Sequence, residues 1–255
     1  YEYFGWQPPI FAHVPLILNA SGKKLSKRDG DVSVEAYREK GYLPEGLLNF
    51  LALLGWSPGD EREFFTPQEL TGVFSLERVR KSGAVFDFDK LLHINGLHMR
   101  AQSTSRLVEL VLPFFDRVAW PRPEPEYLAR VIEVMGERAN LLTDYVEPIP
   151  YFYSDPAEYD PATVKKRWKA ASPELMEAWA ARLETLEFFG HEALDEALRT
   201  LAESRGVGAG QLIHPTRLAL SGVGSGPGLF EMMEVLGREV CLRRLRTALE
   251  RLPRP

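Results

Sequence analysis

The sequence predicts a mainly α-helical protein in which a small mixed α/β module precedes two all-helical bundles. Near the N-terminus, residues 11–18 form a short apolar run with β-branched residues, bounded by turn residues, which is typical of a strand. Beyond Arg100 the sequence changes to amphipathic helical patterns separated by proline-rich joints. No internal repeat interrupts this order. We therefore predict three parts, comprising residues 1–102, 103–160 and 161–255.

Composition excludes several classes of protein. With 45% hydrophobic and 26% charged residues, the 255-residue chain can fold into two or three compact units. The single cysteine, Cys241, excludes an internal disulfide, and the five histidines lack ligand spacing, so we expect no protein-bound metal. No apolar run approaches the roughly 20 residues that a membrane span requires, and no signal peptide is recognisable. We expect a cytoplasmic protein without a membrane partner.

The start of the chain and its net charge give two weaker indications. The sequence begins at Tyr1 rather than at a methionine, and aromatic residues fill the first positions. Such side chains would have few packing partners at a true terminus, so we expect the chain to be part of a longer protein. The net charge of −5 argues against a chain coated in nucleic acid, although a local basic face can still bind a polyanion.

Capping residues mark the helices of the first module. Pro15 has no N–H group, so the strand is predicted at a sheet edge. Ser33 is a candidate N-cap, and Pro44 begins a leucine-striped helix that ends at Gly55. Three more helices, the last reaching about Leu97, are predicted to begin at Thr66, Ser75 and Asp87.

The rest of the chain is predicted as helices around two proline-rich segments. Residues 121–125 form a stiff joint, and residues 148–161 form an aromatic connector. The apolar period and the Pro, Ser or Gly ends predict helices over residues 105–115, 126–140, 161–171, 173–188, 191–205, 214–220, 229–236 and 238–251.

A basic run near the N-terminus is the first candidate functional stretch. Four cations lie within the six residues 23–28, and Gly22 and Gly30 flank the run. Glycine permits positive φ, so the Ser26 hydroxyl and backbone N–H groups can approach phosphate oxygens while lysine ammonium groups act as mobile charges. A solvated turn is the alternative interpretation.

Further candidate stretches lie in the second half. The loop at residues 222–228 contains G-x-G but follows no strand, so it fails as a dinucleotide-binding fingerprint; a close approach to phosphate or base and a simple connector both stay open. Basic clusters at residues 165–169, around Trp168, and at residues 243–254 suit single-stranded RNA or the solvated face of a helix.

The motifs together resemble one known family. The run Lys24-Leu25-Ser26-Lys27-Arg28 is similar to the Lys-Met-Ser-Lys-Ser signature of class I aminoacyl-tRNA synthetases, in the form typical of bacterial-type glutamyl-tRNA synthetases. The resemblance covers essentially the whole chain, strongly in the first hundred residues and the last forty. The runs that carry it lie at residues 41–51, 54–57, 74–79, 85–95, 215–222 and 227–231.

This resemblance implies ATP-dependent activation of glutamate to glutamyl-adenylate and its transfer to tRNA(Glu), with Mg as a partner of ATP. Lys27 matches the catalytic signature lysine, which stabilises charge on the departing pyrophosphate. Lys24, Ser26 and Arg28 match supporting ATP-binding positions. By the same resemblance, residues 1–102 hold the signature loop and a stem-contact module, and the two helical parts are anticodon-binding subdomains.

The resemblance also implies residues that bind the anticodon. Arg138 falls near an arginine that reads the last base in discriminating enzymes. An arginine fork or exposed backbone can read the edge of a splayed base. The other implied positions lie around the 222–228 loop: Arg217, Pro227, Leu229 and Phe230. At Gly226, where some relatives carry a hydroxyl residue, this chain offers only backbone.

Departures from the family pattern leave alternatives open. The second class I signature, His-Ile-Gly-His or a variant, is absent from the sequence, so glutamate is expected as a partner only of a longer, monomeric enzyme. The 255 residues alone are predicted to be inactive. A non-discriminating enzyme that also charges tRNA(Gln), and a non-catalytic RNA-binding or interaction module with a residual signature, are the alternatives.

Overall fold

The computed structural model describes residues 1–11, 13–26 and 33–253, so Lys27, Arg28 and Arg254 lie outside the described residues. These residues divide into two compact units. Unit 1 comprises Tyr1–Gln102 and Asn140–Leu142, and unit 2 comprises Ser103–Ala139 and Thr143–Pro255. The predicted mainly helical fold is confirmed. The division of the chain into three parts stays a prediction.

Strands β1 (Ile17–Leu18) and β2 (Ala84–Val85) form a parallel pair in unit 1, with Ile17 opposite Ala84. The predicted strand over residues 11–18 is therefore too long. Pro15 cannot donate a ladder hydrogen bond, and the ladder begins beyond it, where Ala84 N donates to the carbonyl of residue 16. The chain before this point is largely exposed.

The helices of unit 1 begin at the predicted caps. The side chains of Ser33, Thr66 and Asp87 each accept a hydrogen bond from the backbone N–H three residues later, and Thr66 forms a full capping box. The helix predicted at Ser75 is only a short 3-10 turn, Leu76–Arg78. The helices are α1 (Val34–Glu39), α2 (Pro44–Gly55), α3 (Pro67–Val73) and α4 (Phe88–Arg100), the last extending beyond the predicted Leu97.

Helix α4 packs against α2 around a buried asparagine. Asn95 is fully buried; its Oδ1 accepts a hydrogen bond from Leu43 N at 2.9 Å, and its Nδ2 donates to Asn140 O at 2.5 Å. A Cβ atom on Gly46 would overlap Asn95 Oδ1, so glycine permits the two helices to approach this closely. Apolar side chains around Phe50 and Leu91 complete the core.

Unit 2 is helical, and its irregular ends have local causes. The predicted helix over 105–115 becomes 3-10 at Leu112–Arg117, which contains Pro113. The helix predicted to reach Asn140 ends at Met135, because Gly136 adopts a φ of 49°. The helices are α5 (Thr104–Val111), α6 (Pro125–Met135), α7 (Pro161–Arg167), α8 (Ser172–Thr185), α9 (His191–Ser204), α10 (Gly210–Ser221), α11 (Leu229–Leu236) and α12 (Arg238–Arg251).

Arg244 of α12 is a buried charge in unit 2. Its Nε donates to Asp155 Oδ1 at 2.8 Å, and its terminal nitrogens donate to the carbonyls of Tyr151, Ser154 and Leu220 at 2.7–2.8 Å. Asp155 also accepts two hydrogen bonds from Arg243. These bonds, first from Arg243 and then from Arg244, lower the pKa of Asp155 to about 2.

Asn95→Ala is expected to destabilise unit 1 by about 2–4 kcal/mol, because it leaves the buried Leu43 N–H and Asn140 carbonyl without their partner. Urea denaturation of the variant and of the unmodified chain measures this difference. Gln102→Ala, which removes a single part-buried bond to the His98 carbonyl, is the control. Equal midpoints for the two variants would contradict this role of Asn95.

Candidate nucleic-acid interface and signature loop

The entry to the basic run is an ordered turn in unit 1. Asn19 Oδ1 accepts hydrogen bonds from Ser21 N at 3.1 Å, Ser21 Oγ at 2.8 Å and Lys23 N at 3.0 Å. Gly22 closes the turn with a φ of 75°, a value at which a side chain is strained. The sequence therefore folds locally into an Asx turn that delivers the chain to Lys24.

Leu25 anchors the signature run. Its backbone N donates to Ile17 O at 2.8 Å, and its half-buried side chain packs against the cluster that contains Tyr37 and Phe86. Lys24 and Ser26, on either side of it, are exposed. The single apolar position of the run thus holds the chain while its polar neighbours face solvent. The two other predicted ATP-binding residues, Lys27 and Arg28, lie outside the described residues.

In unit 2 the structure brings together two groups under the glycine loop. Arg217 of α10 has a buried Nη1 with no hydrogen-bond partner among the described residues. A Cβ atom on Gly226 would lie 3.0 Å from the Tyr151 hydroxyl and 3.2 Å from Arg217 Nη1, and Gly226 has a φ of 150°. The loop therefore passes directly over a phenol and a guanidinium group, and a side chain at position 226 would crowd both.

Charges around this cluster are mainly positive. Burial raises the pKa of Tyr151 to about 12, and the positive charges of Arg217 and then Arg138 act against that rise. Burial also lowers the pKa of Arg217, which Glu231 of α11 partly offsets. Arg138 itself is exposed, at the end of the 3-10 turn after α6. The predicted pair Arg138 and Arg217 thus lies near one aromatic hydroxyl.

The charged region continues from α10 toward α7. His214, one turn before Arg217, is half-buried, and its pKa is lowered by burial and then by the charges of Arg167, Arg217 and Lys166. We call Arg138, Arg217, His214, Arg167 and Lys166 the basic strip. Its members come from the 3-10 turn after α6, from α7 and from α10.

The loop itself is packed at one end. Gly222 ends α10 with a φ of 77°, and a Cβ atom there would lie 2.6 Å from the carbonyl oxygen of Glu158. Its backbone also bonds to this connector, since the Gly222 carbonyl accepts a hydrogen bond from Asp160 N at 2.8 Å. Residues 223–226 are exposed. The loop is therefore a fixed support with an exposed crest rather than a loose connector.

Three predicted anticodon residues have buried side chains. Pro227, Leu229 and Phe230 lie at the start of α11 and face the interior of unit 2. They can offer backbone groups to a ligand, while Arg217 offers a side chain. Sequence reasoning missed Tyr151 and Glu231, because Tyr151 lies in the connector and comes beneath Gly226 only through the tertiary fold.

Trp168 and the C-terminal arginines, from the two other basic clusters, make contacts within unit 2. Trp168 is 4% exposed and its Nε1 donates to Pro253 O at 2.8 Å, so it is not an aromatic platform for a base. Near the C-terminus, Arg243 and Arg246 pair with Asp155 and Glu184, and Arg251 donates to the Ala157 carbonyl. The described C-terminal arginines thus have partners within unit 2, as expected of a solvated helix face, and RNA binding by them stays a prediction.

The described residues also bear on metal ions and membranes as partners. Residues 1–11, 13–26 and 33–253 contain no group of three or more His, Cys, Asp or Glu side chains that could hold a metal ion. No helix in this described part is long and apolar enough to cross a membrane.

Comparison with known proteins assigns both portions of the chain. Residues 1–93 match the catalytic domain of class I tRNA synthetases (E and Q), and residues 106–249 match an anticodon binding domain. The glutamate–tRNA ligase of Chlorobium chlorochromatii is 43% identical over 266 residues, which cover all of this chain and 53% of that relative. The chain belongs to the glutamate–tRNA ligase family. The Moorella thermoacetica ligase is 44% identical over 96% of the chain and 51% of its own length.

Solved structures of glutamate–tRNA ligases have the same fold. The enzyme from Elizabethkingia meningosepticum, in complex with its amino acid, superposes with a TM-score of 0.86 at 33% identity, over 99% of this chain and 54% of that one. The ligase from Elizabethkingia anophelis gives a TM-score of 0.81 at 34% identity. The chain spans about half the length of the relatives that it matches.

His214 of this glutamate–tRNA ligase family member should couple folding to pH. Because its pKa is lower in the folded chain than in the unfolded one, its contribution to stability is complete above about pH 6.5 and is lost as the pH falls below that value. His214→Gln is expected to reduce this slope in denaturation measured from pH 8 to about pH 5. His93→Gln, an exposed change on α4, should retain it, and equal slopes for both variants would contradict the assignment.

Proposed function

We propose that this chain supplies two parts of a glutamate–tRNA ligase: the ATP-phosphate signature loop in unit 1 and anticodon recognition in unit 2. The observation that carries the second part is the buried Arg217 Nη1 beneath the crest of the glycine loop, which finds no hydrogen-bond partner in the described part of the chain. A buried donor without a partner is costly, and a base acceptor inserted beside Gly226 would satisfy it. The match of residues 106–249 to an anticodon binding domain supports the same site.

In the proposed reaction, a carboxylate oxygen of glutamate attacks the α-phosphorus of ATP, and pyrophosphate leaves with its electron pair. Lys27 is the catalytic residue that stabilises this developing charge, with Lys24, Ser26 and Arg28 as further phosphate contacts. Glutamyl-adenylate then transfers its acyl group to the 3′-terminal hydroxyl of tRNA(Glu), and AMP leaves. The anchoring of Leu25 supports this assignment, because it fixes the base of the loop while Lys24 stays exposed.

The proposed RNA site combines side-chain and backbone readout. Arg217 and Arg138 supply guanidinium donors to base edges, and Arg138 is assigned to the last anticodon base. Pro227, Leu229 and Phe230 supply backbone groups at the start of α11, because their side chains are buried. The remaining cations of the basic strip are placed to contact phosphates of the anticodon loop.

The proposal extends to organisation and partners. Residues 1–102 would form the signature-loop and stem-contact module, and residues 103–160 and 161–255 the two anticodon-binding subdomains. The partners are tRNA(Glu) and ATP with Mg, and the longer enzyme adds glutamate. A cytoplasmic, monomeric enzyme fits this function.

Arg217→Met should weaken binding of a tRNA(Glu) anticodon stem-loop by about tenfold or more, since a buried charged donor to a base is lost. Fluorescence anisotropy with a labelled stem-loop measures the dissociation constant. Arg199→Met on α9 removes a solvent-exposed arginine paired with Asp195 and should change it by less than about twofold. Equal affinities for the two variants, or no preference of the unmodified chain over an unrelated stem-loop, would contradict the proposal.

The basic strip gives a separate expectation about salt. The logarithm of the binding constant should fall linearly with the logarithm of salt concentration, with a slope near −0.7 per neutralised phosphate for a single-stranded loop. The double change Lys166→Met and Arg167→Met should reduce the slope by about one unit or more while preserving the choice among anticodon sequences. A slope that is flat in the unmodified chain counts against RNA binding by this strip.

A further inference from the structure

We propose that Arg244 is a positioning residue for base recognition: it fixes the distance between the two backbone segments that carry Tyr151 and Arg217. This inference rests on the proposed function of the same site. Arg244 does not lie among the groups that face the exposed loop crest. Its side chain instead donates hydrogen bonds to backbone carbonyl groups of these two segments.

The hydrogen bonds of Arg244 reach both segments at once. A single nitrogen, Nη1, donates to Tyr151 O at 2.7 Å and to Leu220 O at 2.7 Å. Tyr151 carries the phenol that lies beneath Gly226. Leu220 lies three residues after Arg217 on α10, so the two share one helical turn. One atom thus joins the main chains of the phenol and the guanidinium that the site depends on.

Within the described residues, neither segment belongs to a sheet ladder that would fix this distance, and the other backbone bond between them, from Asp160 N to the Gly222 carbonyl, lies farther along the connector. Leu220 is in the last turn of α10, where carbonyl groups lack an intrahelical donor. Residues 150–155 are an irregular connector with one short 3-10 turn, Pro150–Phe152. Arg244 donates hydrogen bonds to the carbonyl groups of both segments from a planar group with fixed directions. Its third carbonyl partner, Ser154, lies three residues after Tyr151 on the connector.

The neighbouring arginine provides a matched control within the same helix. Arg243 and Arg244 both donate to Asp155 at 2.8–2.9 Å. The Arg243 side chain is 54% exposed, whereas that of Arg244 is 4% exposed. Among the described residues, the hydrogen bonds that Arg243 donates go to Asp155, and those of Arg244 also go to the three carbonyls. The two positions therefore separate loss of the carboxylate pair from loss of the carbonyl ties.

A positioning role affects selectivity more than affinity. Base readout requires donors and acceptors to be held within about half an ångström of their working geometry. Lysine at position 244 keeps the charge near Asp155 but has one nitrogen, so it cannot hold both carbonyl groups and the carboxylate in the arginine geometry. The phenol and guanidinium would then move independently, and a wrong base would be rejected less strongly.

The test compares Arg244→Lys with Arg243→Lys in the full 255-residue chain. Dissociation constants are measured for the tRNA(Glu) anticodon stem-loop and for stem-loops with one anticodon base changed, at each of the three positions. Arg244→Lys is expected to reduce at least one discrimination ratio by about fivefold or more, and Arg243→Lys to leave all ratios within about twofold. Circular dichroism and melting curves establish that both variants are folded at the temperature used.

The result that overturns the inference is a folded Arg244→Lys variant with a lower melting temperature and unchanged discrimination, which is what a purely structural arginine would give. If the unmodified chain itself does not discriminate, the proposed function fails, and the inference fails with it. Discrimination by the unmodified chain that survives in Arg244→Lys overturns the inference alone.

A second measurement covers a variant that does not fold. In the unmodified chain, the Nε–H signal of Arg244 can be followed by NMR of ¹⁵N-labelled arginine side chains. The cognate stem-loop should shift this signal, although the side chain is buried, and a stem-loop with a changed anticodon base should shift it less. An Arg244 signal that is unchanged by both, while Arg217 responds, would also overturn the inference.

Discussion

Backbone groups in irregular segments must find hydrogen-bond partners, and buried polar side chains meet this requirement in both units. Neighbouring strands can supply few of these partners, because the sheet formed by the described residues has two strands of two residues each. In unit 1, Asn95 serves the start of α2 and the Asn140 carbonyl, while Asn49 Oδ1 accepts from Phe65 N at 2.9 Å. In unit 2, Arg244 serves three carbonyls. Apolar packing brings the helices together, and these side chains select one arrangement among the similar ones.

The same requirement explains why a charge is buried in unit 2. A buried ion pair contributes little net stability, since removing both ions from water costs about as much as their attraction returns. Arg244 differs from a simple pair, because most of its donors go to carbonyl oxygens that would otherwise be unsatisfied. Asp155 balances the charge while itself remaining half-exposed. The arrangement is better understood as a means of fixing backbone positions than as a source of stability.

The sequence was informative wherever structure depends on near neighbours. The caps at Ser33, Thr66 and Asp87 and the bounds of α11 and α12 follow from local chemistry, and the structure confirms them. A prediction was wrong where one residue ended an element early, as at Gly136. Long-range pairs could not be read from the sequence: Arg243, Arg246 and Arg251 have a basic-face pattern, and their acceptors lie 62 to 95 residues away. For the candidate site, the resemblance supplied Arg217, whereas Tyr151 beneath Gly226 required the fold.

The two adjacent arginines of α12 also bear on how this protein can change over evolutionary time. Arg243 lies at the surface, and a lineage can replace it at little cost while Arg244 still neutralises Asp155. Arg244 has no equivalent substitute, because only a guanidinium group spans its four acceptors. Substitutions should therefore accumulate at position 243, whereas selection should retain arginine at position 244, although the two positions carry the same amino acid here.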